Sequence, residues 1–286
     1  MPSMSTDRSD ASLTAAGAVP AGTRVEALLM AELPILRGVR SRHHDHGSAV
    51  ILAGGRGTRL GALTDEIPKP MLPIDGHPFI EYLVWQLSGF GIGTIIISCG
   101  YLGEVIRRYF GDGERWGVEI RYSSEEMPLG TGGATRLAAG LVEDERFLLL
   151  NGDSVCEVDC RSLLDAASSD VLGAMTLTRV PEGGRYGTVE LAADGRVAAF
   201  RQNDPSGGPA LVNAGAYALR KELVDLIPVS GPSSLERDVL PRLTGRISGV
   251  VSDGFFIDMG LPETYERLRH DPQPLLQAVR RSDHFR

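Results

Sequence analysis

Three cations and a cluster of glycines carry the most distinctive chemistry of this chain. Gly54, Gly55 and Gly57 surround Arg56 and precede Thr58 and Arg59, and Lys69 follows between Pro68 and Pro70. Without a Cβ, glycine lets a ligand approach the main chain and lets successive N–H groups turn inward around an anion. The flanking prolines restrict the backbone of the lysine. The local chemistry is that of polyphosphate binding. Of the 29 Lys plus Arg, lysine occurs only at Lys69 and Lys221. A chain that otherwise uses arginine has placed a compact ammonium, not a planar guanidinium, at this point.

Two carboxylates and a second glycine-rich loop complement these cations. Residues 148–153 are an apolar run that ends in Asn151, Gly152 and Asp153, and residues 255–260 repeat the pattern with Asp258 and Gly260. Carboxylates at two strand ends can share a Mg²⁺ that also grips a triphosphate. Residues 125–134 run from Glu125 through Gly130, Gly132 and Gly133, with Thr131 as a candidate N-cap and glycines that allow contact with a flat nucleobase. Each motif alone also reads as a turn or cap. Their joint occurrence at strand ends selects the functional reading.

The elements that must position these groups follow from hydrophobic patterning. Residues 49–53, 94–98, 118–122 and 147–150 are apolar runs that read as strands, and residues 78–90, 102–110 and 131–141 read as helices. Such alternation specifies a Rossmann-like α/β fold, a mostly parallel mixed sheet with helices on both faces. Ligands of these sheets sit beyond the carboxyl ends of the strands, where residues 54–59, Gly100 and residues 151–153 fall. The second half reads as strands over residues 171–179, 186–191, 197–201 and 211–219, with a hairpin turn at residues 193–195. Helices follow at residues 221–227 and 234–243, strands near 247–251 and 255–257, and helices over 262–270 and 274–281. Residues 1–47 read as an N-terminal extension, disordered at first, with one short helix within 24–39. The simplest organisation is a nucleotide half (48–155) and an acceptor half (156–260) sharing one core, then a C-terminal helical segment (261–286).

Composition excludes several classes. A chain of 286 residues, 42% hydrophobic and 23% charged, is that of a globular protein with one large core. A net charge of −8 argues against nucleic acid as a partner. No apolar run has the length of a membrane span, and no secretory signal layout is present. Cys99, Cys156 and Cys160 are too few for a disulfide framework and read as small core hydrophobes in a reducing cytoplasm. His43, His44 and His46 read as a solvated turn and not as a metal site.

The motif formed by residues 52–60, with Thr64 and then Pro68, Lys69 and Pro70, resembles the signature of the sugar-1-phosphate nucleotidyltransferases. The similarity continues through residues 125–133, 150–153, 185–190, 213–217 and 256–260, and so spans about residues 49–270. Within that family, residues 109–113, 125–133 and 256–260 are most similar to the D-glycero-D-manno-heptose 1-phosphate guanylyltransferases. Mannose-1-phosphate guanylyltransferases and glucose-1-phosphate thymidylyltransferases are near relatives, which leave GTP with mannose 1-phosphate, or dTTP or UTP with glucose 1-phosphate, as alternatives. The resemblance implies the reaction of an NTP with a sugar 1-phosphate to give an NDP-sugar and pyrophosphate, and it implies Mg²⁺. By position, Gly55, Arg56, Gly57 and Thr58 would cradle the triphosphate, with Gly152 beside it. Arg59 and Lys69 would be catalytic, Asp153 and Asp258 would hold the metal, and Ala53, Gly54, Glu125 and Gly130 would surround the base. Gly187, Asn213 and Gly215 would line the sugar pocket. A homo-oligomer is compatible with the sequence.

Glu125 also makes a prediction from its own chemistry. Guanine presents N1–H and its exocyclic amino group side by side, and one carboxylate accepts from both. Uracil and thymine offer a single donor flanked by carbonyls, so a glutamate here favours GTP. One departure stands out: relatives carry Glu-Lys where this chain has Gln202 and Asn203, which leaves Arg201 or Arg185 to meet the sugar phosphate. A dinucleotide-binding dehydrogenase is a poor alternative, because the third glycine of its motif would fall on Leu60. A catalytically silent nucleotide-sugar sensor is a better one, and the complete set Arg59, Lys69, Asp153 and Asp258 argues against it.

Overall fold

The structure is a computed structural model that describes residues 47–183, 187–201 and 208–282. The expected N-terminal helix, the three neighbouring histidines, Arg185, Gln202 and Asn203 lie outside the described residues.

One nine-stranded sheet forms the body. Its first part is parallel: β5 (Glu119–Ser124), β4 (Thr94–Cys99), β1 (Ser48–Leu52) and β6 (Arg146–Asn151) lie side by side in that order. β11 (Ala210–Arg220) pairs antiparallel with β6, and β8 (Gly173–Val180) pairs antiparallel with β11 on its other edge. β12 (Ile247–Ser252) continues parallel to β8. The hairpin of β9 (Thr188–Leu191) and β10 (Val197–Arg201) attaches to the first half of β11. In this sheet β1, β4, β5, β6, β8, β9 and β12 run one way and only β10 and β11 run the other, the mostly parallel mixed arrangement expected.

The parallel strands are apolar on both faces because helices cover both. Val50, Ile96, Phe147 and Leu149 point into one core, and Ala49, Ile51, Ile95, Ile97, Leu148 and Leu150 into the other, as alternation along a strand requires. The larger core is closed by α1 (Phe79–Gly89), α2 (Gly103–Phe110), α6 (Pro262–His270) and α7 (Gln273–Ser282). The other is closed by α3 (Gly130–Ala139) and α5 (Lys221–Val224). α4 (Cys160–Ala166) is capped by Asp159, whose side chain accepts from the Arg161 N–H. All three cysteines are free and buried, and burial pushes the Cys99 and Cys156 thiols up to about 12, which suits core packing and not metal binding.

Two expectations are corrected. Residues 234–243 are not one regular helix. Leu235–Val239 winds as a wide π turn and Leu240–Leu243 as a tight 3₁₀ turn, because Pro241 supplies no N–H to continue an α-helical ladder. Thr131 does not cap α3, whose first residue is Gly130. Its hydroxyl donates to Glu236 at 2.6 Å and accepts the Leu235 N–H at 2.8 Å, clamping that π turn onto the helix start.

Two small ribbons complete the fold: β2 (Pro73–Ile74) with β3 (His77–Pro78), and β7 (Ser154–Cys156) with β13 (Phe256–Asp258).

Candidate active site

The predicted residues gather at the carboxyl ends of β1, β4, β5 and β6. Ala53 N–H donates to Ser98 O at 2.8 Å, and Gly152 N–H donates to Leu52 O at 2.9 Å. The chain therefore leaves β1 between two neighbouring strand tips, and residues 54–65 spread over them.

Lys69 stands beneath this loop. Gly57 adopts φ 67°, a conformation natural to glycine, and a Cβ built there would lie 2.8 Å from the Lys69 Cβ. The loop can rest on the lysine stem only because that Cβ is missing. Lys69 is 7% exposed, and its Nζ lies 2.5 Å from Asp153 Oδ2. Lys221, in contrast, is a half-exposed tie whose Nζ donates to the Glu143 carbonyl.

Pairing of β7 with β13 brings the two acids together. Ser154 is opposite Asp258, and the Met259 N–H donates to the Asp153 carbonyl at 2.8 Å. Burial raises the Asp258 carboxyl above its ordinary value, and the neighbouring Asp153 charge raises it further. Lys69, the Gly260 N–H and Arg59 oppose this. The Gly260 N–H donates to Asp258 Oδ1 at 2.7 Å. Lys69, Arg59, Asp153 and Asp258 thus share one electrostatic site, although they are spread over some two hundred residues of sequence.

Glu125 follows β5 and folds back across the strand tips. Its Oε2 accepts the Leu129 N–H at 2.8 Å. Its Oε1 occupies the space above Gly54 and Gly100, 2.2 and 2.7 Å from where a Cβ on either would lie. Gly54 and Gly100 are the floor on which this carboxylate sits. Gly130 is used differently: a Cβ there would lie 2.4 Å from Ser233 O, so its open face is taken by residues 231–235 of the chain itself. Gly55, Arg56, Thr58 and Arg59 are exposed on the loop.

The acceptor-side residues lie along β9 to β11. Asn213 and Gly215 flank a bulge in β11, where the Asn213 Oδ1 accepts the Gly215 N–H at 3.0 Å and the Nδ2 donates to the Tyr217 hydroxyl at 2.6 Å. Asn151, packed under Gly215, carries a buried Oδ1 with no protein partner among the described residues. Gly187 is exposed just before β9, and Arg201, at the end of β10, donates to Glu190. Sequence reasoning did not single out Glu236 or Tyr101. Glu236 sits in a short polar run, and Tyr101 follows Gly100 directly, which is the signal that could have found it.

A hollow of about 470 Å³ lies at the opposite ends of the strands. Asp144, Glu145, Arg146, Arg161 and Asp165 line it with both charges, and none of the predicted residues does.

The chain and its sheet have counterparts among known proteins. The family model described as nucleotidyl transferase matches residues 48–269. The D-glycero-alpha-D-manno-heptose 1-phosphate guanylyltransferase of Aneurinibacillus thermoaerophilus is 38% identical over 79% of this chain and 98% of its own. The mannose-1-phosphate guanylyltransferase of Mycobacterium tuberculosis is 36% identical over 81% of this chain and 68% of its own. The crystal structure of HddC from Yersinia pseudotuberculosis superposes with a TM-score of 0.70 at 32% identity, covering 79% of this chain and all of that one. HddC has also been crystallised as a complex with GMP-PN. This chain belongs to the nucleotidyl transferase family, and the resemblance read from residues 52–70 holds across the whole body.

Proposed function

We propose that the protein is a guanylyltransferase that joins GTP and a sugar 1-phosphate into a GDP-sugar and pyrophosphate. The single observation that carries this reading is the convergence of Lys69, Asp153 and Asp258 beneath a glycine loop at the strand ends, with Arg59 on that loop. A heptose or mannose 1-phosphate is the acceptor class that the relatives support.

In the reaction a phosphate oxygen of the sugar attacks the α-phosphorus of GTP. The new O–P bond forms as the bond to the β-phosphate oxygen breaks, and both electrons leave with pyrophosphate. The attacking group is already an anion, so the protein has mainly to align two anions and offset their charge. Residues 55–58 receive the triphosphate on main-chain N–H groups. Lys69 stands between the reacting phosphates, its stem fixed under Gly57, and Arg59 meets the charge that builds on the leaving pyrophosphate. Glu125 reads the guanine N1–H and amino group, with Ala53 and Gly54 beside the base, while Gly130 serves to seat Ser233. Gly187, Asn213, Gly215 and Arg201 serve the sugar phosphate.

The two acids fit Mg²⁺. The described residues hold no cluster of three or more His, Cys, Asp or Glu. Mg²⁺ commonly takes only one or two carboxylates and completes its shell with phosphate and water. Asp153 and Asp258 are such a pair, brought together by the pairing of β7 with β13. When bound there, the ion neutralises phosphate charge.

A matrix of NTPs against sugar 1-phosphates, read by pyrophosphate release, tests this reading. GTP with a heptose or mannose 1-phosphate is expected to give the fastest turnover. Glu125→Gln should lower the preference for GTP over UTP by about tenfold, the cost of replacing a doubly accepting carboxylate. Equal use of UTP by the wild type would overturn the base assignment. Nucleotide binding without pyrophosphate release across the matrix would favour a sensor.

A further inference from the structure

Tyr101 is outside every role assigned above, yet it touches the beginning, middle and end of the loop at residues 54–65. Its main-chain N–H donates to Gly54 O at 3.2 Å. Its hydroxyl donates to Asp65 O at 2.9 Å, across 36 residues of sequence. Between these two ties, the Arg56 guanidinium lies over its ring, 5.3 Å from the centroid. The rest of the loop is held by its own 3₁₀ turns over Thr58–Thr64, broken at Gly61, and by the Thr64 hydroxyl, 3.1 Å from Gly61 O and 3.4 Å from Gly57 O. Arg56 lies outside these turns. Residues 55, 56, 58 and 59 are exposed.

We infer that Tyr101 is the positioning residue of the triphosphate loop. It holds the two ends of the loop at a fixed separation and presents Arg56 to the phosphates from a stacked pose. An exposed arginine explores many rotamers, and each must be given up when a phosphate is gripped. Stacking on an aromatic face settles part of that choice beforehand without consuming the guanidinium's in-plane N–H donors. Tyr101 is well placed for this role, because it lies two residues beyond β4, a strand paired on both edges. The restraint therefore originates in the rigid sheet and acts on the exposed arginine. This inference rests on the reading of residues 54–59 as a triphosphate cradle.

The two contacts are separable. Tyr101→Phe keeps the ring under Arg56 and removes the tie to Asp65, whereas Tyr101→Leu removes both. Nucleotide affinity is measured by calorimetry with GTP and with inorganic tripolyphosphate, alongside steady-state kinetics. Tyr101→Leu is expected to raise the Kd for both ligands and the nucleotide KM about tenfold, leaving kcat within about twofold, because ground-state and transition-state binding suffer alike. Tyr101→Phe should cost about threefold, and Arg56→Ala about tenfold. The double variant Arg56→Ala with Tyr101→Leu should be no more than about threefold worse than Arg56→Ala alone, since both remove one shared interaction. A general structural role would instead give effects that multiply in the double variant, or a fall in kcat and thermal stability with unchanged Kd, and either result overturns the inference. If Tyr101→Leu does not fold, an unchanged Kd in Tyr101→Phe overturns the tether, and an unchanged Kd in Arg56→Ala overturns the presentation of Arg56. A wild-type protein that binds tripolyphosphate but turns over no GTP would remove the transferase reading alone. One that binds neither ligand would remove both.

Discussion

Glu81 and Asp258 are acids whose neighbours in sequence pack into the same core, and the fold treats them in opposite ways. Glu81, on α1, is fully buried, and three side chains converge on it. The Trp116 indole N–H donates to Oε1 at 2.8 Å, and Oε2 accepts the Tyr109 hydroxyl at 2.7 Å beside His77 Nδ1 at 3.1 Å. Asp258 is less buried and receives one main-chain N–H, while a second acid presses on it. A structural carboxylate is met by the donors it needs. Under the proposed function Asp258 is a carboxylate that keeps room for a cation, which would supply the partner the protein does not.

The sharpest test of the satisfied half of this contrast is Glu81→Ala. It strands the Trp116 N–H and the Tyr109 O–H in the core at about 1–3 kcal/mol each, for a total of about 4 kcal/mol with the lost packing. Thermal unfolding should drop by roughly 10 °C in a protein of this size. Nucleotide affinity, measured well below the transition, should hold, because none of these groups reaches the strand tips. A melting temperature within two or three degrees of wild type would show that the donors find other partners and would dissolve the contrast.

Asp258→Asn tests the other half and should move activity and stability in opposite directions. Turnover is expected to fall about a hundredfold, the scale of weakening one cation that would neutralise the reacting phosphates. Stability at neutral pH should rise slightly, by about 1 kcal/mol or less, because a charge held at an unfavourable place is gone. The sign follows from linkage. A carboxyl whose folded value is raised binds its proton more tightly when folded, so it costs stability where it is ionised in both states and costs nothing below the ordinary carboxylate range. The advantage of Asn over Asp should therefore be full at neutral pH and vanish in acid. Melting curves from neutral to acid pH measure this, and an Asn variant less stable than wild type at neutral pH would show that Asp258 is already satisfied.

The same contrast explains what could be read from sequence. The parallel strands and Asp153 were legible because buried strands are continuous apolar runs and the residue after such a run lies at a strand tip. The glycines near Lys69 announce a loop in close contact with the lysine stem, and the proposed function makes it a phosphate loop. What remained hidden depends on partners far along the chain. Nothing near Glu81 announces that Tyr109 and Trp116 will enclose it. The preference of threonine for caps pointed Thr131 at its own helix, and only the approach of Glu236 and Leu235 redirects its hydroxyl. Gly130 and Gly54 have the same local chemistry, yet Ser233 fills the space beside one and Glu125 the space beside the other.

Arg201→Ala should give the smallest effect and marks where the contrast fades. Arg201 is exposed at the end of β10 and donates to Glu190, so solvent and an ion pair already meet most of its charge. It is neither enclosed like Glu81 nor short of partners like Asp258. As a contributor to sugar-phosphate binding it should act as a screened, long-range cation. The expected result is a rise of about threefold in the KM for the sugar 1-phosphate, with kcat and the nucleotide KM unchanged. The effect should shrink as salt is raised, because exposed charges are screened over about 10 Å at 0.1 M. A tenfold or larger rise that survives high salt would mean that Arg201 leaves Glu190 to contact the phosphate directly. No change at low salt would remove it from the acceptor site.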